Sequence, residues 1–320
     1  MLTFLTTAKP FQGHSAIIQR SALESWRRLD PDIEIILLGD EPGVAEVCRE
    51  LNLRYEPDVE HRENGTKTVR SIFIPGQQMA RHEHICYCNC DIILTADFAR
   101  AVRRVRSRFG KFLMVGRRWD LDVLHALDFS LADWQGTLVQ RAHREGFQRL
   151  HYNIDYFVFP RGLYSEFPDL VIGRNHWDQW LVWKAGAEGI PVVDASEAVC
   201  AVHQNHGYGY HPQGMAGVWN DEATRANFRA AGGRRHLHTI EDANYSLGPA
   251  GIQPNRFYWL APAKRRIRGA RHALRTFFRS RLWHPFLDKT RALRHSFGLR
   301  KELLKPLRNR KAARRHWLDQ

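Results

Sequence analysis

Asn89-Cys90-Asp91 places two oxygen-bearing side chains two positions apart, directly after the apolar run Ile85–Cys88. A carboxylate at the carboxyl end of a buried parallel strand lies on the rim where open α/β sheets take their ligands. An Asn-x-Asp pair in that place offers hard oxygen donors to a divalent ion, which can also take oxygens from a diphosphate. An Asx-turn ahead of a helix explains the same three residues equally well. Asp40 closes a second apolar run, Glu34–Leu38, inside Gly39-Asp40-Glu41-Pro42-Gly43. On the same rim it can accept hydrogen bonds from a base or ribose, or simply form a turn before a helix. His203 follows a short apolar run in Ala201-Val202-His203-Gln204-Asn205-His206. A neutral imidazole there is a metal ligand or the partner of a backbone group. Asp178 opens a helical pattern after Asn175-His176-Trp177. It suits a general base for an acceptor hydroxyl; with Asn175 as N-cap it also suits the helix dipole with no catalysis at all.

A competing constellation is His82, His84, Cys86, Cys88 and Cys90, which alternate and would share one face of a strand. Such ligands would stand roughly 7 Å apart along the strand, at about 3.3 Å rise per residue. Structural zinc instead uses close Cys pairs from separate elements that converge tetrahedrally. Small cysteines packed under helices are the better reading.

The elements that must position these residues alternate along the first half of the chain. Apolar, β-rich runs at 2–7, 34–38, 85–94 and 111–115 are separated by helical patterns at 15–29, 43–51, 71–80 and 97–109. In the first helix Ile18, Ala22, Leu23 and Trp26 keep the helical spacing. Strands alternating with helices predict βαβ units and a largely parallel sheet. The second half is less regular. Helices are expected over 133–145 and 177–187, strands over 152–159, 190–193 and 198–202, and a Gly-, Tyr- and His-rich loop over 206–217. Trp177, Trp180 and Trp183 share one helical face and read as core.

Composition limits the classes available. The chain has 320 residues with 43% hydrophobic and 26% charged, the balance of a soluble globular protein. Five Cys are too few for a disulfide scaffold, and their odd number fits a reducing compartment. No apolar run reaches 18 residues, which excludes a transmembrane helix. The opening Met1–His14 reads as a strand rather than a signal peptide, so a cytoplasmic location is expected. Charge is unevenly spread. Residues 264–320 hold 19 Lys+Arg against 3 Asp+Glu, while residues 1–263 hold 29 against 31.

Taken in order, Leu2–Thr7, Tyr87-x-Asn89-x-Asp91-Ile92, Trp177-Asp178 and Val202–His206 make the sequence resemble bacterial glycosyltransferases of the GT-A fold over about residues 1–250. The resemblance implies an α/β fold: a GT-A-like, Rossmann-type mixed sheet flanked by helices, with a nucleotide-sugar-binding half over 1–115 and an acceptor-binding half over 116–263. It implies that Thr6, Thr7 and Lys9 line the nucleotide site, with Asp40 on the base or ribose. Asn89 and Asp91 would stand where a D-x-D pair holds Mn²⁺ or Mg²⁺ on the donor diphosphate, and His203 would be a further metal ligand. Asp178 would match the base of inverting members, and Asp120 and Asp155 would contact sugar hydroxyls. Asn89 departs from the pattern, since it replaces the first carboxylate of the pair.

The basic segment 264–320 is expected to form an amphipathic helical tail. Ile267, Ala270, Leu274, Phe277, Phe278 and Leu282 fall at three- and four-residue intervals among Arg and Lys, as in helices that lie on membrane surfaces. An anionic membrane is therefore the expected partner, ahead of nucleic acid, for which no module is recognisable. The expectation is a metal-dependent transferase of sugar from a nucleotide-diphosphate donor to an acceptor hydroxyl, cytoplasmic and peripheral at the inner membrane face. Its acceptor would be lipid-linked or a cell-surface glycan precursor. Two alternatives stand beside it: a non-catalytic protein of the same fold whose tail binds membrane or nucleic acid, and a nucleotidyltransferase, although no Gly-rich phosphate loop follows the first strand.

Overall fold

Twelve strands form the frame of the computed structural model, which describes residues 2–207, 214–255, 258–261, 263 and 267. The chain divides into a compact unit over Met1–Tyr258 and a second unit from Trp259. The basic tail expected over 264–320 lies, apart from residue 267, outside the described residues.

The first unit begins β1 (Leu2–Thr6), α1 (Gly13–Arg27), β2 (Ile33–Leu38), α2 (Val44–Leu51), β3 (Arg54–Glu56), α3 (Val69–Met79) and β4 (His84–Cys88). It continues through β5 (Ile92–Ile93), α4 (Ala96–Arg108), β6 (Leu113–Leu121), α5 (Trp134–Glu145), β7 (Phe147–Gln148) and β8 (Ile154–Pro160). Then follow α6 (Trp177–Ala187), β9 (Val192–Asp194), β10 (Ala201–Gln204), α7 (Gly214–Asn220), α8 (Glu222–Ala230), β11 (Tyr245–Gly248) and β12 (Gly251–Pro254). The sheet runs β12-β11-β9-β6-β8-β4-β1-β2-β3, and β10 and β7 join it through β6. β1, β2, β3 and β4 pair in parallel, and β8 lies antiparallel between β4 and β6. This is a mixed α/β sheet flanked by helices, as the sequence resemblance implies.

The central strands are apolar on both faces because helices cover both. Leu2, Phe4, Cys86 and Cys88 point to the side packed by α1, α2 and α4. Leu5, Ile36, Ile85 and Tyr87 point to the side packed by α3 and α6. All five cysteines are free and buried, and burial pushes the Cys48 thiol up to about 11 and that of Cys200 up to about 12. Cys86, Cys88 and Cys90 are packing groups, as their alternation suggested. His84 stacks on Phe112 at 5.3 Å, and burial lowers its pKa so that the ring stays neutral. Trp177 and Trp180 are buried in the second core, also as expected.

Three departures from the sequence expectations have local causes. The strand expected over 85–94 is two strands, because Asn89-Cys90-Asp91 turns: the Ile92 amide donates to the Asn89 carbonyl at 3.1 Å. The strand expected over 111–115 runs on to Leu121, so the division at 115/116 falls inside β6. Helix α8 and the β11–β12 hairpin were not expected; Asp221 starts α8 by accepting from the Thr224 amide at 2.8 Å. Of the loop expected over 206–217, residues 208–213 lie outside the described residues, 206–207 form no regular element, and 214–217 enter α7.

Trp26 fixes the segment that follows the Asn-x-Asp turn. Its ring stacks on Phe4 at 4.8 Å and its Nε1 donates to the Ile92 carbonyl at 2.8 Å. Trp26→Phe keeps the apolar surface and leaves that buried carbonyl without its donor. Urea unfolding should show a loss of about 1–3 kcal/mol; an unchanged midpoint would mean that the bond contributes nothing.

Candidate active site

Parallel pairing brings the carboxyl ends of β1, β2, β4, β6 and β10 to one edge of the sheet. Because β8 runs the other way, its first residues reach that edge too. Thr7 and Lys9 after β1, Asp40 after β2, Asn89 and Asp91 after β4, Asp120 in β6, Asp155 in β8 and His203 in β10 therefore share one rim. This is the strand-end geometry at which open α/β sheets bind ligands.

Asp91, His203 and His206 converge there, with one ligand atom from each lying within 4.8 Å of the other two. Asp91 Oδ2 lies 3.0 Å from His206 Nε2 and 3.8 Å from His203 Nε2. Its other oxygen, Oδ1, is buried and has no hydrogen-bond partner. Donors about 2.1 Å from a common ion stand roughly 3–3.5 Å apart, so this donor set fits a divalent metal. Gln204 holds the Asp91 backbone in place: its amide and its side-chain Nε2 both donate to the Asp91 carbonyl, at 3.1 and 3.2 Å. Lys9 Nζ approaches His206 Nε2 at 2.9 Å. Burial alone raises the Asp91 pKa, but His203, the bond from His206 and the Lys9 charge outweigh it and hold the carboxyl well below the ordinary range.

Behind this cluster lies a buried ion network centred on Arg118, which is 9% exposed. Arg118 Nη1 donates to both oxygens of Asp155, at 2.8 and 2.9 Å, and its Nε donates to Asp120 Oδ1 at 2.9 Å. Arg149 Nε reaches the second Asp120 oxygen at 3.0 Å. Burial lowers the Arg118 pKa, but Asp155, Asp120 and Asp91 more than reverse this, so the guanidinium stays charged. Burial likewise raises Asp120, while the bond from His203 and the Arg118 charge bring it below the ordinary carboxylate value. Asn89 Nδ2 donates to Asp155 Oδ1 at 2.8 Å, and its amide donates to the Asp155 carbonyl at 3.0 Å. Asn89 thus spends its side-chain donor on a neighbouring carboxylate.

Asp178 stands in the first turn of α6, whose Trp177 ring packs on Tyr87 at 5.2 Å. Asp178 Oδ1 is buried without a partner. Burial pushes its pKa up to about 7; backbone donors oppose the rise and the Asp155 charge adds to it. His176, just before it, holds a left-handed φ of 87°, a conformation uncommon for a bulky residue.

The remaining expected residues sit on the rim around these groups. Thr6 is buried and its hydroxyl donates to the Thr7 carbonyl at 3.3 Å. The Lys9 amide donates to Gln19 Oε1 at 2.6 Å, which fixes the turn after β1. Asp40 is exposed in the turn after β2. Next to it the buried Lys67 pairs with Glu41 and points at the Leu38 carbonyl 3.5 Å away. Sequence reasoning missed Arg118, Arg149, Lys67 and the role of His206. Only the His203-x-x-His206 spacing carried a readable signal.

No family model matches the chain, and no curated protein matches it. Among solved structures, it is similar to residues 1–349 of S. aureus TarS in complex with UDP-GlcNAc, at 9% identity over 71% of this chain and 64% of that one, TM-score 0.48. It is also similar to glucosyl-3-phosphoglycerate synthase from Mycobacterium tuberculosis with Mg²⁺ and UDP, at 12% identity over 73% of this chain and 80% of that one, TM-score 0.45. The chain spans less than two thirds of the TarS fragment. These likenesses concern the path of the chain, and function is argued below from the site.

Asn89→Asp would restore the usual carboxylate pair but set two carboxylate oxygens 2.8 Å apart in place of a hydrogen bond. One of the two must then bind a proton more tightly than in the unfolded chain. The penalty is largest above that raised pKa and shrinks as pH falls. Stability at pH 7.5 should drop by about 1–3 kcal/mol, with part of it regained at pH 5. A variant as stable as the wild type at pH 7.5 would contradict this account of Asn89.

Proposed function

We propose that the protein is a metal-dependent glycosyltransferase that moves a sugar from a nucleotide-diphosphate donor to an acceptor hydroxyl. The observation that carries this reading is the Asp91–His203–His206 cluster on the strand-end rim. Those three residues would hold a divalent ion, which supplies the positive charge that a departing nucleoside diphosphate needs. Two imidazoles beside one carboxylate suit Mn²⁺ better than Mg²⁺, which prefers oxygen donors throughout. Asp40 takes the base or ribose, and Thr7 and Lys9 line the donor site over the buried Thr6. Asp178 takes the proton of the acceptor hydroxyl as its oxygen bonds the anomeric carbon and the bond from that carbon to the diphosphate oxygen breaks. A carboxyl with a pKa of about 7 is matched to that task near neutral pH. Asp155 and Asp120, which the resemblance places near sugar hydroxyls, are held by Arg118 and shape the floor of the site.

The basic segment 264–320 supports an anionic membrane as a second partner and a lipid-linked or cell-surface glycan precursor as acceptor. Among the described residues no helix is long and apolar enough to cross a membrane. The contact we propose is peripheral, at the cytoplasmic face. Full-length protein should pellet with anionic vesicles, and a chain ending at residue 263 should stay in the supernatant.

Calorimetry with UDP, GDP, CDP and dTDP should find one nucleotide that binds with Mn²⁺, loses affinity in EDTA and is lost in Asp91→Ala. No binding of any nucleotide would favour a non-catalytic protein of this fold. Release of pyrophosphate rather than nucleoside diphosphate from the donor would favour nucleotidyl transfer.

Turnover should rise with pH through a midpoint of about 7, because the active form of Asp178 is the carboxylate. Asp178→Asn should lower the rate about 10²- to 10⁴-fold and leave nucleotide binding intact. The folded pKa lies above the unfolded one, so ionised Asp178 costs stability increasingly between pH 4 and 7. The Asn variant should therefore be no less stable than the wild type at pH 8. A pH profile flat across 6–8 would remove Asp178 as the base.

A further inference from the structure

We propose that Asp120 is a positioning residue for the metal site: it receives the Nδ1 proton of His203 and thereby fixes the tautomer whose Nε2 is offered to the ion. The proposal rests on the metal-site reading of Asp91, His203 and His206 and is independent of which reaction the site performs.

Four observations carry it. Asp120 and His203 are direct neighbours in the parallel β6–β10 ladder, so their side chains leave the sheet side by side. Asp120 Oδ1 lies 3.2 Å from His203 Nδ1, a buried nitrogen with no other hydrogen-bond partner, while Nε2 on the other side of the ring lies 3.8 Å from Asp91 Oδ2. The ring is 6% exposed, leaving little room for water to take the carboxylate's place. Asp120 is itself held from two sides by Arg118 Nε at 2.9 Å and Arg149 Nε at 3.0 Å. A neutral imidazole carries one proton on one of two nitrogens. A fixed acceptor at Nδ1 draws that proton there and leaves the Nε2 lone pair directed at Asp91. Carboxylate, imidazole and ion in series is the arrangement by which outer residues set the orientation and basicity of a metal-binding histidine. Asp120 would therefore reach the metal only through His203, in contrast to the sugar contact implied by the sequence resemblance.

The test uses the full chain and metal alone. Titration of the apoprotein with Mn²⁺, followed by calorimetry and by the electron paramagnetic resonance of free Mn²⁺, should show binding weakened about 10- to 100-fold in Asp120→Ala. Asp120→Asn keeps an oxygen acceptor facing Nδ1 while giving up the charge that pairs with Arg118 and Arg149, and should stay within about threefold of the wild type by the same comparison. Equal losses in both variants would mean that the network acts only as scaffold, and would overturn the proposal. An independent measurement needs no variant that must fold. With Zn²⁺ as a diamagnetic probe, the ¹⁵N shifts of wild-type His203 should show a protonated Nδ1 and a metal-bound Nε2; the reverse assignment overturns the proposal. If the wild type binds neither Mn²⁺ nor Zn²⁺, the metal-site reading falls with it. If the wild type and Asp120→Ala bind alike, the metal site stands and the role of Asp120 does not.

Discussion

Burying the guanidinium of Arg118 beneath the rim requires that carboxylates follow it there, because an isolated charge out of water costs far more than a fold can supply. Asp120 answers that demand from Arg118's own strand, β6, and Asp155 from the neighbouring β8. Once committed, the two carboxylates pass the constraint outward. Asp155 orients Asn89, and through it the turn that presents Asp91. Asp120 faces His203, which faces Asp91 from the other side. Asn89, Asp155, Arg118, Asp120, His203 and Asp91 form a closed loop of contacts that begins and ends at one tripeptide. Breaking a buried pair by removing one partner typically costs about 3–5 kcal/mol, so rim geometry and fold stability are tied together at this arginine.

The backbone of β6 makes the loop possible. Its register against β8 shifts between Val115 and Arg117. Before the shift β6 pairs with β9, and after it with β10. One strand can thus serve the central sheet with its first half and carry Arg118 and Asp120 to the Asp91–His203–His206 cluster with its second. A side chain at Gly116 would run into the Tyr156 hydroxyl, so the bend needs glycine at that point. Arg118 and Asp120 are two residues apart and so leave the same face of the strand. That shared face is why one arginine can bond a carboxylate in its own strand and another across the ladder.

Much of the frame was legible in the sequence because local pattern dictates it. Leu2–Thr7, Glu34–Leu38 and Ile85–Cys88 are too apolar for anything but strands buried on both faces, and the helices between them carry their own spacing. The rim acids Asp40 and Asp91 were legible for the same reason, since each ends such a run. Arg118 was not. Within Gly116–Leu121 it looks like one more charged residue near a strand end, and only pairing across 37 positions to Asp155 shows that it is buried. Lys67 escaped likewise, because its partner Glu41 lies in a turn with no periodic signal. His206 stood in the quoted segment, but its role depends on an approach to Asp91 across 115 positions. Long-range ion pairs leave no periodicity to read.

Charge balance also explains the residue that departs from the expected pattern. Around the cluster stand three carboxylates, Asp91, Asp120 and Asp155, and three cations, Lys9, Arg118 and Arg149. Each carboxylate already has a cation or imidazole within reach, and a fourth at position 89 would find the nearest guanidinium already paired with Asp155 and Asp120. An amide at 89 resolves this differently. It donates to Asp155 and adds no charge, and Asp91 remains the one carboxylate of the tripeptide aimed at the two imidazoles. His206 brings an imidazole to the cluster where position 89 brings no carboxylate. In this chain the choice of Asn89 and the presence of His203 in β10 with His206 just after it are two sides of one electrostatic constraint.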